Sequence, residues 1–119
     1  MEIQEIADKL VSLCREGKNE EAYKTLFAEN ASAHDHGNPN APIRTGLSNL
    51  LEGHHYFQNM IKEVNSLVVT DPTIISPHYF ACGMGIDYTG TNGERHVMNE
   101  LCVYEVRNGK IAKEIFYYG

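Results

Sequence analysis

The chain has 119 residues, 42% of them hydrophobic, and 16 acidic against 10 basic residues give a formal net charge of −6. This is the size of a single domain, spanning residues 1–119, that can bury an apolar core without disulfides. Three cysteines, no two of them close in sequence, argue against a disulfide framework and favour a reducing compartment.

The charge and the hydropathy pattern exclude two classes of partner. Binding to a nucleic-acid backbone needs a basic surface, which an acidic chain does not supply, so we expect no nucleic-acid partner. Crossing a membrane needs a run of about 18 apolar residues, and the sequence contains none. We therefore expect no membrane partner and predict a cytoplasmic protein.

The first half of the chain carries apolar residues at helical spacing. Residues 2–15 predict an amphipathic helix that ends at Gly17, and Asn19 is placed to cap a second helix whose apolar stripe reaches Phe27. A short strand over 31–36 and a loop over 37–42 follow. From Leu47 the apolar positions predict a third helix reaching Val64, with Gly53 as a weak point inside it.

The second half changes to the pattern of a sheet. Segments 67–75, 79–88, 96–106 and 111–118 are rich in β-branched and aromatic residues and are separated by turn residues. They predict three or four antiparallel strands, and Asn108-Gly109 indicates a hairpin between the last two. Helices followed by such strands predict an α+β fold with helices on one face of an antiparallel sheet.

Two segments carry a family resemblance. Val103 to Ile111, with the sequence VYEVRNGKI, and Leu26 to Ala31, with the sequence LFAENA, resemble parts of the SnoaL-like group of the nuclear transport factor two-like superfamily. The resemblance implies a cone in which a curved antiparallel sheet wraps around the third helix, encloses a small-molecule pocket and often pairs with a second copy. Because that superfamily includes both enzymes and non-catalytic proteins, the fold alone does not decide the function.

The resemblance also implies a pocket carboxylate or histidine that acts as general acid or base, and Glu100 and Glu114 are the first candidates. Their relative position depends on the hairpin register. A three-residue loop pairs Glu100 with Phe116 and Cys102 with Glu114, whereas a two-residue type I′ turn moves Glu114 to the opposite face. We favour the first register because it gathers one aromatic wall that carries carboxylates, formed by Met98, Glu100, Tyr104, Phe116 and Tyr118.

Two carboxyls in an apolar wall repel each other and are poorly solvated, so the pKa of at least one should rise toward neutral pH. That would make Glu100 and Glu114 catalytic. The alternative is a structural role, in which each glutamate forms a hydrogen bond or an ion pair with Lys113, Arg95 or a partner chain.

Other residues are candidates for the same pocket. His34 and Asp35 lie in the predicted short strand and offer proton-transfer groups near the pocket mouth, although a plain polar strand end is the alternative. His34 and His36 form only a weak metal pattern, so we expect no metal. We expect three further side chains to contact a ligand, namely His54, Phe57 and Met84; for His54 the alternative is a hydrogen-bonded core histidine.

Two functions remain open. The first is an enzyme that performs acid/base chemistry without a cofactor, such as isomerisation, cyclisation or dehydration, on a small apolar or aromatic ligand. The chain lacks a phosphate loop and a dinucleotide fingerprint. The second is a non-catalytic ligand-binding or dimerisation module, in which an apolar outer face packs against a second copy to form a homodimer. That face would consist of Leu101, Val103, Ile115 and Tyr117.

Overall fold

The structure is a computed structural model that describes residues 1–38 and 40–118. Pro39, which falls in the predicted loop, and Gly119 lie outside the described residues. The elements in chain order are α1 (Ile3–Arg15), α2 (Asn19–Leu26), β1 (Phe27–Asp35), β2 (Arg44–Thr45), α3 (Leu47–Asn59), β3 (Ile61–Val69), β4 (Thr73–Ser76), β5 (Tyr79–Gly90), β6 (Arg95–Arg107) and β7 (Lys110–Tyr118).

The first two helices form the predicted helical hairpin. Gly17 ends α1 with a φ of 74°, and the Lys18 amide donates to the Leu13 carbonyl at 2.8 Å, a geometry that favours glycine. Two details of the prediction were wrong. Asn19 is the first residue of α2 and makes no side-chain cap, and Phe27 begins β1 because its backbone is extended and pairs with Ile111 of β7.

The third helix is shorter than predicted. It ends at Asn59, and Ile61 and Val64 lie on β3, where they pair with Gly90 and Tyr88 of β5. Their spacing fits a helical face, but they are β-branched and the ladder with β5 supplies backbone hydrogen bonds that local periodicity does not reveal. The apolar segment predicted over 67–75 is divided between β3 and β4 at Asp71-Pro72, since proline cannot donate a ladder hydrogen bond.

The strands form one curved sheet in the order β2-β1-β7-β6-β5-β3, with β4 also paired to β5. Every pairing between described strands is antiparallel except that of β1 with β7, which is parallel. The α+β fold class is therefore confirmed, and the sheet is mixed and mostly antiparallel. The helices pack on its concave face, where the core includes Ile6, Leu10, Leu26, Leu50, Phe80 and Ile111. In the part of the chain that the structure describes, no helix is both long and apolar enough to span a membrane.

The register of the β6–β7 hairpin differs from both predicted arrangements. Asn108 and Gly109 have φ values of 53° and 74° and form a two-residue turn of the type I′ kind, so Arg107 pairs with Lys110. A bulge at Ala112 then shifts the register by one residue.

Beyond the bulge, Glu100 pairs with Tyr118, Cys102 with Phe116 and Tyr104 with Glu114. The predicted pairs of Glu100 with Phe116 and Cys102 with Glu114 were therefore wrong by two residues. A shift of two residues preserves which face each side chain occupies, so Glu100 and Glu114 still share the concave face.

Candidate functional site

A cavity of about 580 Å³ lies between the helices and the concave face of the sheet. The structure places every side chain predicted for the site along its lining or its border, although the roles assigned to them remain predictions. They are His34, Asp35, His54, Phe57, Met84, Met98, Glu100, Tyr104, Phe116, Tyr118 and Glu114.

Glu114 lies at the closed end of this cavity, the end formed by Glu114, Tyr23 and Tyr104. Its side chain is only 3% exposed, and the Tyr23 hydroxyl donates a hydrogen bond to its Oε1 at 2.7 Å. Burial raises the pKa of Glu114 to about 8; the hydrogen bond from Tyr23 opposes this rise, and the charge of Glu100 adds to it. At neutral pH this carboxyl therefore holds its proton for most of the time.

Glu100 lies at the open end of the cavity, the end formed by Glu100, Asp35 and Tyr118. It is half-buried, and the Cys102 thiol donates a weak hydrogen bond to its Oε1 at 3.7 Å. Burial raises the pKa of Glu100 to about 7; the Cys102 contact lowers it, and the charge of Asp35 raises it. A carboxyl with this pKa is divided between its acid and base forms at neutral pH.

Asp35 is held by the chain around it. Its Oδ2 accepts a hydrogen bond from the Tyr118 hydroxyl at 3.0 Å, and its Oδ1 accepts from the amides of Gly37 and Asn38 at 3.0 and 3.2 Å. The pKa of Tyr118 is raised, first by burial and then by its hydrogen bond to Asp35. Asp35 therefore orders the open end of the cavity, and the charge of its carboxylate raises the pKa of Glu100.

His34 is placed less favourably for a catalytic role. Strand alternation turns it away from Asp35 to the side that Ser32 occupies, and the Ser32 Oγ lies 3.0 Å from the His34 Nε2. Burial, followed by the charge of Lys113, lowers the pKa of His34. Because this ring only borders the cavity and already has a partner, we leave His34 out of the proposed proton-transfer groups.

His54 projects from α3 into the cavity lining. Its ring centroid lies 5.8 Å from that of Tyr23, and its Nε2 is buried without a hydrogen-bond partner among the described residues. Burial lowers the pKa of His54, and the neighbouring His55 contributes in the same direction. The ring is therefore mostly neutral at pH 7, and its Nε2 is a buried polar atom in the wall of the cavity.

The remaining walls are mostly apolar. The Phe57 ring packs edge-on against Tyr88 at a centroid distance of 5.5 Å, while Met84 pairs directly across the sheet with Glu100. This environment excludes water from the carboxyls and explains why their pKa values rise. The rest of the apolar lining comes from Met98 and Phe116.

Among the lining residues that were not predicted for the site, Tyr23 and Arg44 carry polar groups that bear on its chemistry. Tyr23 lies on the second helix, within the segment whose apolar stripe is predicted to reach Phe27, and a tyrosine there gives no signal of a carboxylate partner 91 positions away. Arg44 follows a loop and had no assigned role. The one signal that bears on it is Gly53, an unfavourable residue inside a helix, which contacts the Arg44 side chain.

The site also bears on metal binding. Across residues 1–38 and 40–118, no three or more His, Cys, Asp or Glu side chains are arranged to hold a metal ion. The three cysteines, Cys14, Cys82 and Cys102, are buried free thiols. Burial raises the pKa of Cys14 to about 12, so this thiol is not a ready metal ligand or nucleophile.

These features define a cone-shaped α+β protein of the nuclear transport factor two and ketosteroid isomerase fold family. The SnoaL-like domain family matches residues 1–118. The chain therefore belongs to the SnoaL-like family, as the resemblance predicted. No curated protein sequence matches the chain significantly.

Solved structures agree with this assignment. A Mesorhizobium loti protein named as a SnoaL-like polyketide cyclase is 30% identical, with a TM-score of 0.90 over 99% of this chain and 100% of its own. A Catenulispora acidiphila protein with a ketosteroid isomerase-like fold, in complex with trimethylamine, is 18% identical, with a TM-score of 0.75 over 97% of this chain and 85% of its own. TerC, co-crystallised with polyporic acid, is 10% identical, with a TM-score of 0.74 over 97% of this chain and 89% of its own. At 18% and 10% identity, the Catenulispora acidiphila protein and TerC show a shared fold and nothing more specific.

Proposed function

We propose that this protein binds a small, largely apolar or aromatic molecule in its cavity and moves a proton on it without a cofactor, in a reaction of the isomerase, cyclase or dehydratase type. The observation that carries the proposal is the pair of carboxyls, Glu100 and Glu114, on one otherwise apolar wall of a cavity of about 580 Å³. A cavity of this size lies within the range of roughly 300–1,000 Å³ that is usual for small-molecule sites.

The two carboxyls suit different roles. Glu100, with a pKa of about 7, is half-ionised at neutral pH and can remove a proton from a bound molecule. Glu114, with a pKa of about 8, is mostly protonated and can donate a hydrogen bond or a proton to an oxygen of the same molecule. The His54 ring adds to the lining of the same cavity.

The relatives support the proposal at the level of the class. The Mesorhizobium loti protein is named as a SnoaL-like polyketide cyclase, and the names of two fold relatives report complexes with small organic molecules. Cyclisation and isomerisation both depend on proton transfer at carbon or oxygen, which a pair of carboxyls in an apolar cavity can perform.

The test uses 5-nitrobenzisoxazole, a small aromatic probe whose ring opens when a base removes its carbon-bound proton. We expect saturable ring opening with a rate that rises with pH around a midpoint near 7, because Glu100 must be ionised. Glu100→Gln should lower this rate at least about tenfold. The matched control is Glu105→Gln, because Glu105 lies on the other face of β6.

Equal rates for wild type and Glu100→Gln would contradict the proposal of a catalytic base. Binding is measured separately with N-phenyl-1-naphthylamine, an uncharged dye whose fluorescence rises in apolar surroundings. If the dye binds and no ring opening occurs, the protein is a non-catalytic ligand-binding module, which is the alternative function.

We also propose a homodimer formed through the sheet. The outer face of β6 and β7 leaves Val97 62%, Leu101 48% and Tyr117 43% exposed, and contiguous apolar surface of this kind is typical of an interface. Light scattering should give twice the chain mass at micromolar concentration, and Leu101→Glu should reduce it to one chain. A monomeric wild-type protein would contradict the dimer and leave the cavity proposal unaffected.

A further inference from the structure

Arg44 occupies an unusual position at the cavity. It lies on β2, where its Cα pairs with that of Ala33 on β1, and its side chain crosses onto α3 at Gly53. A Cβ atom at position 53 would lie 2.9 Å from the Arg44 Nε and 3.2 Å from its Cζ. The guanidinium group therefore lies directly against the backbone of the helix, and a Cβ atom at position 53 would force the Arg44 side chain to shift.

Gly53 has no other evident reason to be glycine. It lies inside α3 and its φ is not positive, so the backbone does not require glycine there. Glycine inside a helix is destabilising relative to alanine because it leaves the unfolded chain more freedom. The position is explained if Gly53 makes room for Arg44 beside the cavity.

The guanidinium group has no anionic partner among the residues that the structure describes. Within residues 1–38 and 40–118 it forms neither an ion pair nor a side-chain hydrogen bond, although arginine carries five N–H donors. It is also the one lysine or arginine in the described lining. An arginine on a cavity wall with unpaired N–H donors is suited to bind an anionic group of a ligand.

The exposure of the lining residues near Gly53 favours a carboxylate as the anionic group. We call this side of the cavity, lined by Tyr56 and Met60, its mouth. Tyr56 and Met60, which line the cavity on the same side of α3 as Gly53, are 69% and 40% exposed. A carboxylate there stays partly hydrated, so pairing it with Arg44 does not carry the full cost of desolvation. The rest of the ligand can then extend over the apolar wall toward Glu100 and Glu114.

We propose that the ligand carries a single anionic group, such as a carboxylate, that Arg44 binds at the mouth, and that Gly53 is the positioning residue that makes this contact possible. The proposal rests on the proposed function and adds the charge class of the ligand. It agrees with the net charge of −6, which disfavours a polyanion but leaves room for one charge at an arginine.

The experiment compares two dyes that differ by one anionic group, 1-anilinonaphthalene-8-sulfonate and its uncharged parent N-phenyl-1-naphthylamine. Wild type should bind the sulfonate more tightly. Arg44→Gln should weaken binding of the sulfonate about tenfold or more and change that of the uncharged dye less than about twofold. Lys62→Gln, which removes an exposed positive charge on β3, is the control and should change neither.

Gly53→Ala tests the positioning. The added methyl group should displace the guanidinium and weaken sulfonate binding as Arg44→Gln does, with the uncharged dye again unaffected. In an Arg44→Ala background the same Gly53→Ala change should have no further effect on dye binding and should raise the melting temperature. Arg44→Ala removes the Cδ, Nε and Cζ atoms that the methyl group would meet, whereas the gain in helix propensity remains.

The outcomes separate the two proposals. If both dyes bind and Arg44→Gln weakens neither, or weakens both equally, the anion proposal is overturned and the binding function stands. If neither dye binds wild type, the cavity is not a site for apolar molecules and both proposals fail. If Gly53→Ala leaves sulfonate binding unchanged while Arg44→Gln weakens it, the positioning role of Gly53 is overturned.

Discussion

The two ends of the cavity carry the same chemical group in different surroundings. At the closed end, Glu114 is 3% exposed and accepts a short hydrogen bond from Tyr23. At the open end, Glu100 is half-buried, and its one side-chain hydrogen bond among the described residues comes from the Cys102 thiol at 3.7 Å. The pKa rises to about 8 in the first case and to about 7 in the second.

This difference in pKa gives the two carboxyls different roles, with Glu114 as a proton or hydrogen-bond donor and Glu100 as a base. Burial is the largest cause of both shifts, so the more enclosed carboxyl keeps its proton to higher pH even though Tyr23 favours its ionised form. The less enclosed one loses its proton near neutrality, where a base is useful. The following predictions test whether the two ends differ in this way.

The largest expected effect is on the pH dependence of stability. Above the ordinary carboxyl pKa of 4.5 the unfolded chain releases the proton of Glu114, whereas the folded protein keeps it up to a pKa of about 8. The free energy of unfolding should therefore fall as pH rises through this window, by up to about 1.4 kcal/mol per pH unit from this group. Urea unfolding from pH 5 to pH 8 measures the slope.

Glu114→Gln removes the titrating group and should flatten that slope. The smaller contribution of Glu100, up to a pKa of about 7, then remains, opposed by His34 and His54, whose lowered pKa values make stability rise with pH. Glu105→Gln is the control, because the hydrogen bond from Tyr79 lowers the pKa of Glu105 and places its titration below this window. A slope unchanged by Glu114→Gln would mean that the carboxyl at the closed end ionises as readily as an ordinary one.

The next effect is on the hydrogen bond at the closed end. Tyr23→Phe leaves the buried Glu114 carboxyl without its partner and should lower the free energy of unfolding by about 1–3 kcal/mol. The chain offers a matched pair on the other side of the sheet, where the Tyr79 hydroxyl donates to Glu105 at 2.8 Å in an exposed position. Tyr79→Phe should cost less than about 1 kcal/mol, and equal costs would show that burial does not distinguish the two pairs.

The smallest effect is at the open end. Asp35→Asn removes a negative charge that raises the pKa of Glu100, so that pKa should fall below about 7 while remaining above 4.5. The asparagine oxygen can still accept from the amides of Gly37 and Asn38, which should keep the loop in place. Carbon-detected NMR of the Glu100 carboxyl measures the shift. An unchanged pKa would mean that burial alone sets it.

The sequence predicts the fold better than it predicts the site. Alternation along β6 correctly grouped Met98, Glu100 and Tyr104, because the period of a strand is fixed by its geometry. The partner of each residue on β7 could not be predicted, since it depends on a bulge at Ala112 that carries no clear local signal. The boundary of α3 was missed for a similar reason, because the pairing of Ile61 with Gly90 is a long-range contact.

Prediction of the site is limited in the same way, by long-range contacts that the local sequence does not reveal. Glu100 and Glu114 could be proposed from strand parity and the family resemblance, but their unequal pKa values depend on enclosure by helices distant in sequence. Tyr23 and Arg44 reach the cavity through contacts across the fold, and no spacing in the sequence connects Tyr23 to Glu114 or Arg44 to Gly53. Gly53, which helix propensity does not explain, is the sequence feature that comes closest to indicating the position of Arg44.

The central claim is that both glutamates on the concave wall titrate near neutral pH, well above the ordinary carboxyl pKa of 4.5, and that Glu114 keeps its proton to higher pH than Glu100. Carbon-detected NMR titration of the side-chain carboxyls, assigned with Glu100→Gln and Glu114→Gln, tests it directly. The account predicts midpoints of about 7 for Glu100 and about 8 for Glu114, while Glu105 titrates below its ordinary value. Midpoints below 5 for both cavity carboxyls would contradict it.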